Sequence, residues 1–352
     1  MRVRHVPLRT NNGVLVIQWP MTSVKAVGDD VSVAEFAEDV RHYLTQTPRQ
    51  LPSRYLYDAL GSALFDAICE LPWYRITGAE IRLLARHAPS LWSAMSPLDR
   101  IIELGVGDGR KLAALLSARP RGLPPVQVDL VDISAAALET ASRTLARLGG
   151  TRVVCHEARY EAGLEDASGE AARGRALVLF LGSNIGNFDP PSRDALLRHI
   201  RACLRPGDAL LLGADLVKPE RDLLLAYDDP LGVTGAFNLN LLVRINRELG
   251  ADFDPACFAH RAIWNVRDAR VEMHLVSKRR QMVRIPAAGI KLELQASETI
   301  WTESSYKYQP ADIVRMIERA GFEATAQWED GRARFVLTLC GVRAAAVQSA
   351  SK

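Results

Sequence analysis

The sequence predicts an α/β protein in which a doubly wound, mainly parallel sheet ends in an antiparallel hairpin and is accompanied by a second, α+β module. Apolar strands alternate with amphipathic helices between about residues 80 and 216. Four strand-like segments then follow one another between about 260 and 301 with no helix between them. After Tyr308 a helix and a hairpin resume the first pattern, so we expect the second module to be an insertion.

The parallel strands are short apolar runs, each followed by a helical pattern. The run 176–181 is entirely apolar, which is typical of a strand buried on both faces. Ser134 follows the second strand and is placed to cap the next helix. The five predicted strands are 101–104, 126–132, 152–155, 176–181 and 209–213.

The remaining elements are predicted from spacing, caps and turns. Ser32 caps a helix that begins at Val33, and Pro310 opens another that Gly321 closes. The inserted module has a helix over 233–249 and strands near 260–265, 270–277, 281–285 and 290–301. The last two strands, 322–329 and 334–340, form a hairpin over Asp330-Gly331. A sheet that ends in such a hairpin favours the methyltransferase variant of the dinucleotide-binding fold over a dehydrogenase.

The composition excludes several classes of protein. The chain has 352 residues, of which 48% are hydrophobic and 24% are charged, and its formal net charge of +3 argues against a nucleic-acid partner. It has no apolar run of the roughly 18 residues that a membrane span needs. The five cysteines are scattered and the histidines do not cluster, which disfavours a disulfide framework and a metal site. We expect a cytoplasmic, monomeric protein that acts on a small molecule.

Glycines after the first strand of the sheet predict a cofactor site. Glu103 precedes Gly105, Gly107 and Gly109, so that the glycines occupy every second position of the turn into the next helix. A nicotinamide-binding turn would place its third glycine at position 110, which is Arg. The observed spacing, with an acid two residues before the first glycine, is the pattern that binds S-adenosylmethionine. A tight structural turn is the alternative.

The ends of two further strands also predict a site, because carboxyl ends of parallel strands line the ligand crevice. Asp132 ends the second strand, where a carboxylate accepts ribose hydroxyl groups; the alternative is a cap for the helix that follows. Gly182 follows the fourth strand, and nearby Asn187 offers both a donor and an acceptor to a polar substrate. The alternative for Asn187 is a helix cap ahead of Pro190.

Longer motifs resemble the histidine Nα-methyltransferase family of ergothioneine biosynthesis, over roughly residues 33–342. The motifs are the segments 55–65, 71–74, 77–80, 103–105, 180–187, 227–229, 232–234, 237–238, 245–253 and 302–305, together with Lys307. The resemblance implies S-adenosylmethionine-dependent methylation of the α-amine of L-histidine to the trimethylated betaine, hercynine.

The resemblance also implies a role for each matching residue. Tyr57 and Phe65 would lie near the substrate amine, Asn187 and Tyr227 would hold the α-carboxylate, and Tyr74, Glu303 and Ser305 would contact the imidazole. Gly105, Gly107, Lys111, Asp132 and Gly182 would belong to the cofactor site. From the chemistry of the reaction we also predict Tyr57 and Asn187 as the catalytic residues, because a water held near either of them would take the amine proton between rounds. By composition alone Glu303 would be an exposed strand-end carboxylate, and Tyr57, Phe65 and Tyr74 would be core residues.

The sequence departs from the family at the expected pocket entrance. The family usually has Tyr-Tyr-Pro-Thr-Arg where this chain has Tyr74-Arg75-Ile76-Thr77-Gly78. The adenine-side segment falls at Arg159-Tyr160, where no acid aligns, so no adenine contact is predicted. Two alternatives follow: an N-methyltransferase for another aromatic amino acid, such as a tryptophan derivative, and a non-catalytic, cofactor-binding regulatory subunit.

These observations also predict the domain organisation. We expect residues 31–79 and 217–307 to form a substrate-binding domain, residues 80–216 and 308–345 a methyltransferase domain, and residues 1–30 and 346–352 loose termini.

Overall fold

A computed structural model describes residues 22–26, 32–169 and 174–342. Its strands are β1 Thr22–Ala26, β2 Arg49–Gln50, β3 Arg100–Leu104, β4 Val126–Asp132, β5 Thr151–Glu157, β6 Ala176–Phe180, β7 Ala209–Asp215, β8 Phe258–Asn265, β9 Arg270–Ser277, β10 Gln281–Ile285, β11 Ile290–Leu294, β12 Thr299–Tyr306, β13 Glu323–Asp330 and β14 Phe335–Gly341. Its α-helices are α1 Val33–Leu44, α2 Ala59–Cys69, α3 Ile76–Met95, α4 Arg110–Ser117, α5 Ala135–Leu145, α6 Tyr160–Ser168, α7 Pro190–Cys203, α8 Glu220–Tyr227, α9 Val233–Leu249 and α10 Pro310–Arg319.

The main sheet has eight strands in the order β1-β5-β4-β3-β6-β7-β14-β13. Its first six strands are parallel, and β14 runs antiparallel to both β7 and β13. The predicted doubly wound sheet with a C-terminal antiparallel hairpin is therefore confirmed. The five predicted parallel strands correspond to β3, β4, β5, β6 and β7, with small differences at their ends.

Local signals in the sequence explain several helix starts. The side chain of Ser32 accepts the backbone N–H of Glu35 at 3.1 Å, and that of Ser134 accepts the N–H of Ala137 at 3.3 Å. Pro310 occupies the first turn of α10, where a missing N–H costs nothing. No helix in the described part of the chain has both the length and the apolar character that a membrane span requires.

A second sheet has the order β2-β12-β9-β8, and β10 and β11 form a separate two-stranded hairpin. The chain leaves β12 beside the end of β7, because the backbone N–H of Tyr308 donates to the carbonyl of Asp215 at 3.1 Å. The second sheet is thereby held against the carboxyl edge of the main sheet. This edge is where the predicted site residues meet.

Two predictions about the elements differ from the structure. The single strand predicted near 290–301 is two strands, β11 and β12, because the polar segment between them turns with Ser297 in the left-handed region at φ 68°. Residues 22–26 belong to the predicted loose terminus 1–30, but they pair in parallel with β5 as an edge strand. The rest of the predicted loose termini, residues 1–21, 27–30 and 346–352, lies outside the described residues.

Candidate active site

A cavity of about 780 Å³ opens between the carboxyl edge of the main sheet and the second sheet. Four of the predicted site residues line it: Tyr57, Asp132, Asn187 and Glu303. Other lining residues were not predicted, and they include Ile133, Arg159, Tyr160, Asn184, Arg270 and Trp301. The cavity therefore joins the predicted cofactor side to the predicted substrate side.

The glycine turn lies at the end of β3, and its backbone requires glycine. Gly105, Gly107 and Gly109 have φ values of 77°, 55° and 76°, in the region that residues with side chains rarely adopt. A Cβ on Gly105 would lie 2.5 Å from Nδ2 of Asn184 and 2.9 Å from the hydroxyl of Tyr160. A Cβ on Gly107 would meet nothing within 4 Å, so the backbone there faces open space.

Asp132 both faces the cavity and supports the turn. Its Oδ1 accepts the backbone N–H of Ser134 at 2.9 Å, and the N–H of Gly107 also donates to the carboxylate. Burial raises the pKa of Asp132, although these N–H groups oppose the shift. The hydroxyl of Ser134, rather than Asp132, caps α5. The carboxylate is thus held by backbone donors at a fixed place in the cavity wall.

Three ionisable groups are buried beneath the glycine turn. The Nζ of Lys111 lies 3.5 Å from Oε2 of Glu80, which also accepts the backbone N–H of Gly182. Both carboxylate oxygens of Glu103 are buried and have no hydrogen-bond partner within residues 32–169 and 174–342. Burial raises the pKa of Glu103 to about 8, although Lys111 opposes the shift.

The buried partner of Lys111 is Glu80, 31 positions earlier in the chain. Lys111 was predicted as a cofactor residue, and the structure places its ammonium against Glu80. Burial alone would lower the pKa of Lys111, but the carboxylates of Glu80 and Glu103 outweigh burial and raise it. Glu80 belongs to the motif 77–80, but nothing in the sequence around it predicted a role for it.

The predicted substrate aromatics form one cluster. The ring centroids of Tyr57 and Phe65 are 5.5 Å apart, those of Phe65 and Tyr74 are 6.2 Å apart, and those of Tyr74 and Tyr227 are 6.3 Å apart. Phe237 joins the cluster, 5.5 Å from Tyr57 and 5.9 Å from Phe65. In the sequence, only its place in the motif 237–238 indicated that Phe237 could belong to the site. The departures from the family, Arg75 and Gly78, are exposed at the start of α3 and do not line the cavity.

Glu303 brings a carboxylate to this cluster. It follows an irregularity in the pairing of β12 with β9, and its carbonyl accepts the indole N–H of Trp301 at 2.8 Å. Burial raises the pKa of Glu303 to about 7, although Lys307 opposes the shift. Burial raises the pKa values of Tyr57 and Tyr74, and the charge of Glu303 adds to both shifts.

Ser305 and Tyr227 are held by a buried lysine. The Nζ of Lys307 lies 2.7 Å from the hydroxyl of Tyr227, 2.9 Å from that of Ser305 and 3.1 Å from Oδ2 of Asp215. The hydroxyl of Tyr227 donates to that of Ser305 at 2.8 Å. Lys307 was part of a motif without an assigned role, and Asp215 was not predicted at all.

The unpredicted residues Arg159 and Tyr160 lie on the cofactor side of the cavity. Both follow β5, and the ring of Tyr160 packs edge-on against Phe180 with centroids 5.4 Å apart. They were not predicted as site residues, because no acid aligns with the family at this place in the sequence. The carboxyl-end position after a parallel strand was the available signal.

Comparison with known proteins agrees with this geometry. A family described as histidine-specific, SAM-dependent methyltransferase matches residues 36–342. The histidine N-alpha-methyltransferase of Mycolicibacterium smegmatis is 38% identical over 314 residues, which are 88% of this chain and 96% of that protein. The protein of that name from Mycobacterium tuberculosis is 39% identical over 321 residues, which are 89% of this chain and 97% of that protein. Ergothioneine biosynthesis protein 1 of Neurospora crassa is 29% identical over 303 residues, which are 81% of this chain and 32% of that protein. The chain therefore belongs to the histidine-specific, S-adenosylmethionine-dependent methyltransferases.

Proposed function

We propose that this methyltransferase transfers methyl groups from S-adenosylmethionine to the α-amine of L-histidine three times, which yields the trimethylated betaine hercynine. The observation that carries the substrate assignment is the carboxylate of Glu303. It lines the cavity and has no hydrogen-bond partner in the described part of the chain. An ionised carboxylate there accepts an imidazole N–H in a charge-assisted bond, which a phenyl ring cannot offer. The names of the two mycobacterial relatives support the same substrate.

The residues of the glycine turn fit S-adenosylmethionine, which carries a positive charge on its sulfur and another on its amino group. The carboxyl group of Glu103 has no hydrogen-bond partner in the described part of the chain and would ionise beside a cationic cofactor, and the open backbone at Gly107 leaves room for a ligand. Asp132 in the cavity wall would accept the ribose hydroxyl groups. We therefore assign Gly105, Gly107 and Asp132 to the cofactor, with Glu103 balancing its charge.

The remaining assignments follow the geometry of the aromatic cluster. Tyr57 and Phe65 would flank the amine, and the π face of Phe65 would stabilise the ammonium charge as it develops. Asn187 would hold the α-carboxylate from the other side of the cavity. Tyr227 was expected to share this role, but its hydroxyl donates to Ser305 and it is not among the residues that line the cavity. Tyr74 would pack against the imidazole, because its ring belongs to the same aromatic cluster, 6.2 Å from Phe65 and 6.3 Å from Tyr227.

The cofactor, when bound, supplies a methyl group on a sulfonium that already carries its leaving group. The residues of the chain therefore have to align a neutral amine and exclude water. The α-amino group of a free amino acid titrates above neutrality, so the site has to take up the amine in its neutral form, with its proton passed to solvent. Burial raises the pKa of Tyr57 and Glu303 adds to the shift, so the phenol stays protonated and is no base.

We propose that a water held near Tyr57 or Asn187 takes the proton of each methylated amine. The amine attacks as a neutral nucleophile, becomes an ammonium, and must lose a proton before it can attack again. The third transfer produces a quaternary nitrogen that has neither a proton nor a lone pair. Hercynine is therefore the chemical end point of a site that accepts each methylated product.

The domain organisation remains part of this proposal. Residues 31–79 and 217–307 would form the substrate-binding domain, which contributes Tyr57, Tyr227 and Glu303. Residues 80–216 and 308–345 would form the methyltransferase domain, which contributes Asp132 and the glycine turn. The cavity between the two sheets supports this division.

The decisive experiment is incubation of the purified protein with isotopically labelled S-adenosylmethionine and a panel of amino acids, followed by mass spectrometry. We expect mono-, di- and trimethylated histidine to form in turn, and no comparable product from phenylalanine or tryptophan. A preference for tryptophan or its derivatives would establish the alternative substrate class. Cofactor binding without methylation of any amino acid would indicate a non-catalytic binding protein.

A further inference from the structure

The hydroxyl groups of Tyr227 and Ser305 share a hydrogen bond and a common cationic neighbour. The Nζ of Lys307 is 2.7 Å from one hydroxyl and 2.9 Å from the other, and its side chain is fully buried. An ammonium group has three hydrogens and no lone pair, so Lys307 can only donate. Its third donor is directed to Asp215, which leaves none for another partner.

This arrangement determines the direction of the remaining protons. Tyr227 donates its hydroxyl hydrogen to Ser305, and burial keeps the phenol protonated by raising its pKa, although Lys307 opposes the shift. The oxygen of Ser305 therefore accepts from both Tyr227 and Lys307, which occupies its two lone pairs. Toward any third group, Ser305 can only donate its own hydrogen.

Glu303 has the opposite character on the same strand. Alternate residues of a strand point to one face, so Glu303 and Ser305 belong to the same face of β12. An ionised carboxylate only accepts hydrogen bonds. A ring bound between these two side chains must therefore offer one N–H to Glu303 and one unprotonated nitrogen to Ser305.

We propose that Lys307 is a positioning residue that makes Ser305 an obligate hydrogen-bond donor, so that the site selects the neutral form of an azole ring with one N–H and one unprotonated nitrogen. This inference rests on the proposed histidine substrate. Lys307 acts through Ser305 and does not contact the ring. A cationic imidazolium has two N–H groups and no acceptor, so it would leave Ser305 unpaired and would also face the charge of Lys307.

A double-mutant cycle on ligand binding tests this role. Calorimetry would measure the affinity of L-histidine, with S-adenosylhomocysteine present to prevent turnover, for wild type, Lys307→Met, Ser305→Ala and the double variant. We expect each single substitution to weaken histidine binding by about 10-fold, the cost of one such hydrogen bond. The double variant should bind no more weakly than the weaker single variant, because both changes remove the same interaction.

Lys218 provides the matched control. Its Nζ lies 2.5 Å from the other oxygen of Asp215, and its second bond is to the carbonyl of Ala333. Lys218→Met therefore removes a buried lysine from the same carboxylate without altering the hydroxyl pair, and it should leave histidine affinity unchanged. If Lys307→Met does not fold, Tyr227→Phe, which removes the other donor to Ser305, takes its place in the cycle.

A ligand whose ring has no nitrogen shows whether Lys307 positions Ser305 or only supports the structure of the pocket. β-(2-Thienyl)-L-alanine offers Ser305 no acceptor, so Lys307→Met should change its affinity less than 2-fold. Multiplying effects in the double variant, or an equal loss for thienylalanine and histidine, would overturn the role of Lys307. If wild type binds thienylalanine but no histidine, the proposed substrate is wrong and the inference falls with it.

Discussion

The carboxylate of Glu80 accepts the backbone N–H of Gly182 through both of its oxygens, at 3.0 and 2.8 Å, although 102 positions separate the two residues. Glu80 lies on α3, and Gly182 begins the turn after β6, at φ 74°. The same carboxylate pairs with Lys111 at the start of α4. The buried carboxylate of Glu80 thus connects α3 to the turn at Gly182 and to the start of α4. Both of these segments lie on the cofactor side of the cavity.

This relationship predicts that Glu80→Gln impairs the cofactor site. The amide would keep an acceptor for Gly182 but lose the charge opposite Lys111. A hydrogen bond to a charged group contributes about 1.5–3 kcal/mol, so we expect S-adenosylmethionine to bind roughly 10- to 150-fold more weakly. Calorimetry measures the change, and Glu139→Gln on the exposed side of α5 serves as the control. Equal affinity in the two variants would contradict the prediction.

Asp132→Ala should weaken S-adenosylmethionine binding by about 1.5–3 kcal/mol, because it removes a charged acceptor from the cavity wall. Ser134→Ala is the matched control. It removes the cap of α5 and should reduce the free energy of unfolding by about 1 kcal/mol, while cofactor affinity stays unchanged. Calorimetry and thermal unfolding on both variants separate the two effects. Unchanged cofactor affinity in Asp132→Ala would remove this residue from the site.

Glu303→Ala should lower kcat/KM for histidine by roughly 10- to 150-fold, which corresponds to about 1.5–3 kcal/mol. Cofactor affinity should not change, because Asp132 and the glycine turn are untouched. Activity on tryptophan should hold steady or rise, since a buried carboxylate disappears. Steady-state kinetics with both amino acids are the measurement, with the exposed Glu293→Ala on β11 as control. An equal fall in kcat/KM for histidine and tryptophan would mean that Glu303 supports the fold and does not recognise the side chain.

Glu103 should make the stability of the cofactor-free protein depend on pH. Its pKa is raised from 4.5 to about 8, so the folded state binds more protons than the unfolded state between these values. Stability must therefore fall as pH rises through this window. Glu103→Gln removes this pH dependence. We expect the free energy of unfolding of Glu103→Gln to exceed that of wild type at pH 8 by an amount on the order of 2–4 kcal/mol, and the two values to converge below pH 4.5.

Thermal unfolding at several pH values, without cofactor, tests this prediction. The difference in Tm between Glu103→Gln and wild type should widen steadily from acid to alkaline pH. A constant difference would show that the carboxylate is not titrating in that range. Addition of S-adenosylmethionine should narrow the difference, because the cofactor's positive charge stabilises the ionised carboxylate of the wild type.

Local patterns account for much of the fold. The apolar runs that became β3, β4, β6 and β7 are buried in the sheet, and the hairpin over Asp330-Gly331 forms where its turn residues lie. The pattern near 290–301 predicts one strand where the structure has β11 and β12, because a polar turn between two strands shows the same alternation of polar and apolar residues as one longer strand. The two-residue strand β2 was not predicted, since its pairing with β12 depends entirely on the neighbouring strand.

The sequence by itself determined the turns, the caps, the buried strands and the residues that carry the family resemblance. These depend on backbone freedom and on the spacing of side chains over a few positions, which the chain shows directly. Only the tertiary structure decided that Lys307 meets Asp215 and Tyr227, and that Glu80 meets Gly182. Each of these groups is costly to bury alone and is stable only beside its partner, and no local pattern reveals a partner 80 or 102 positions away.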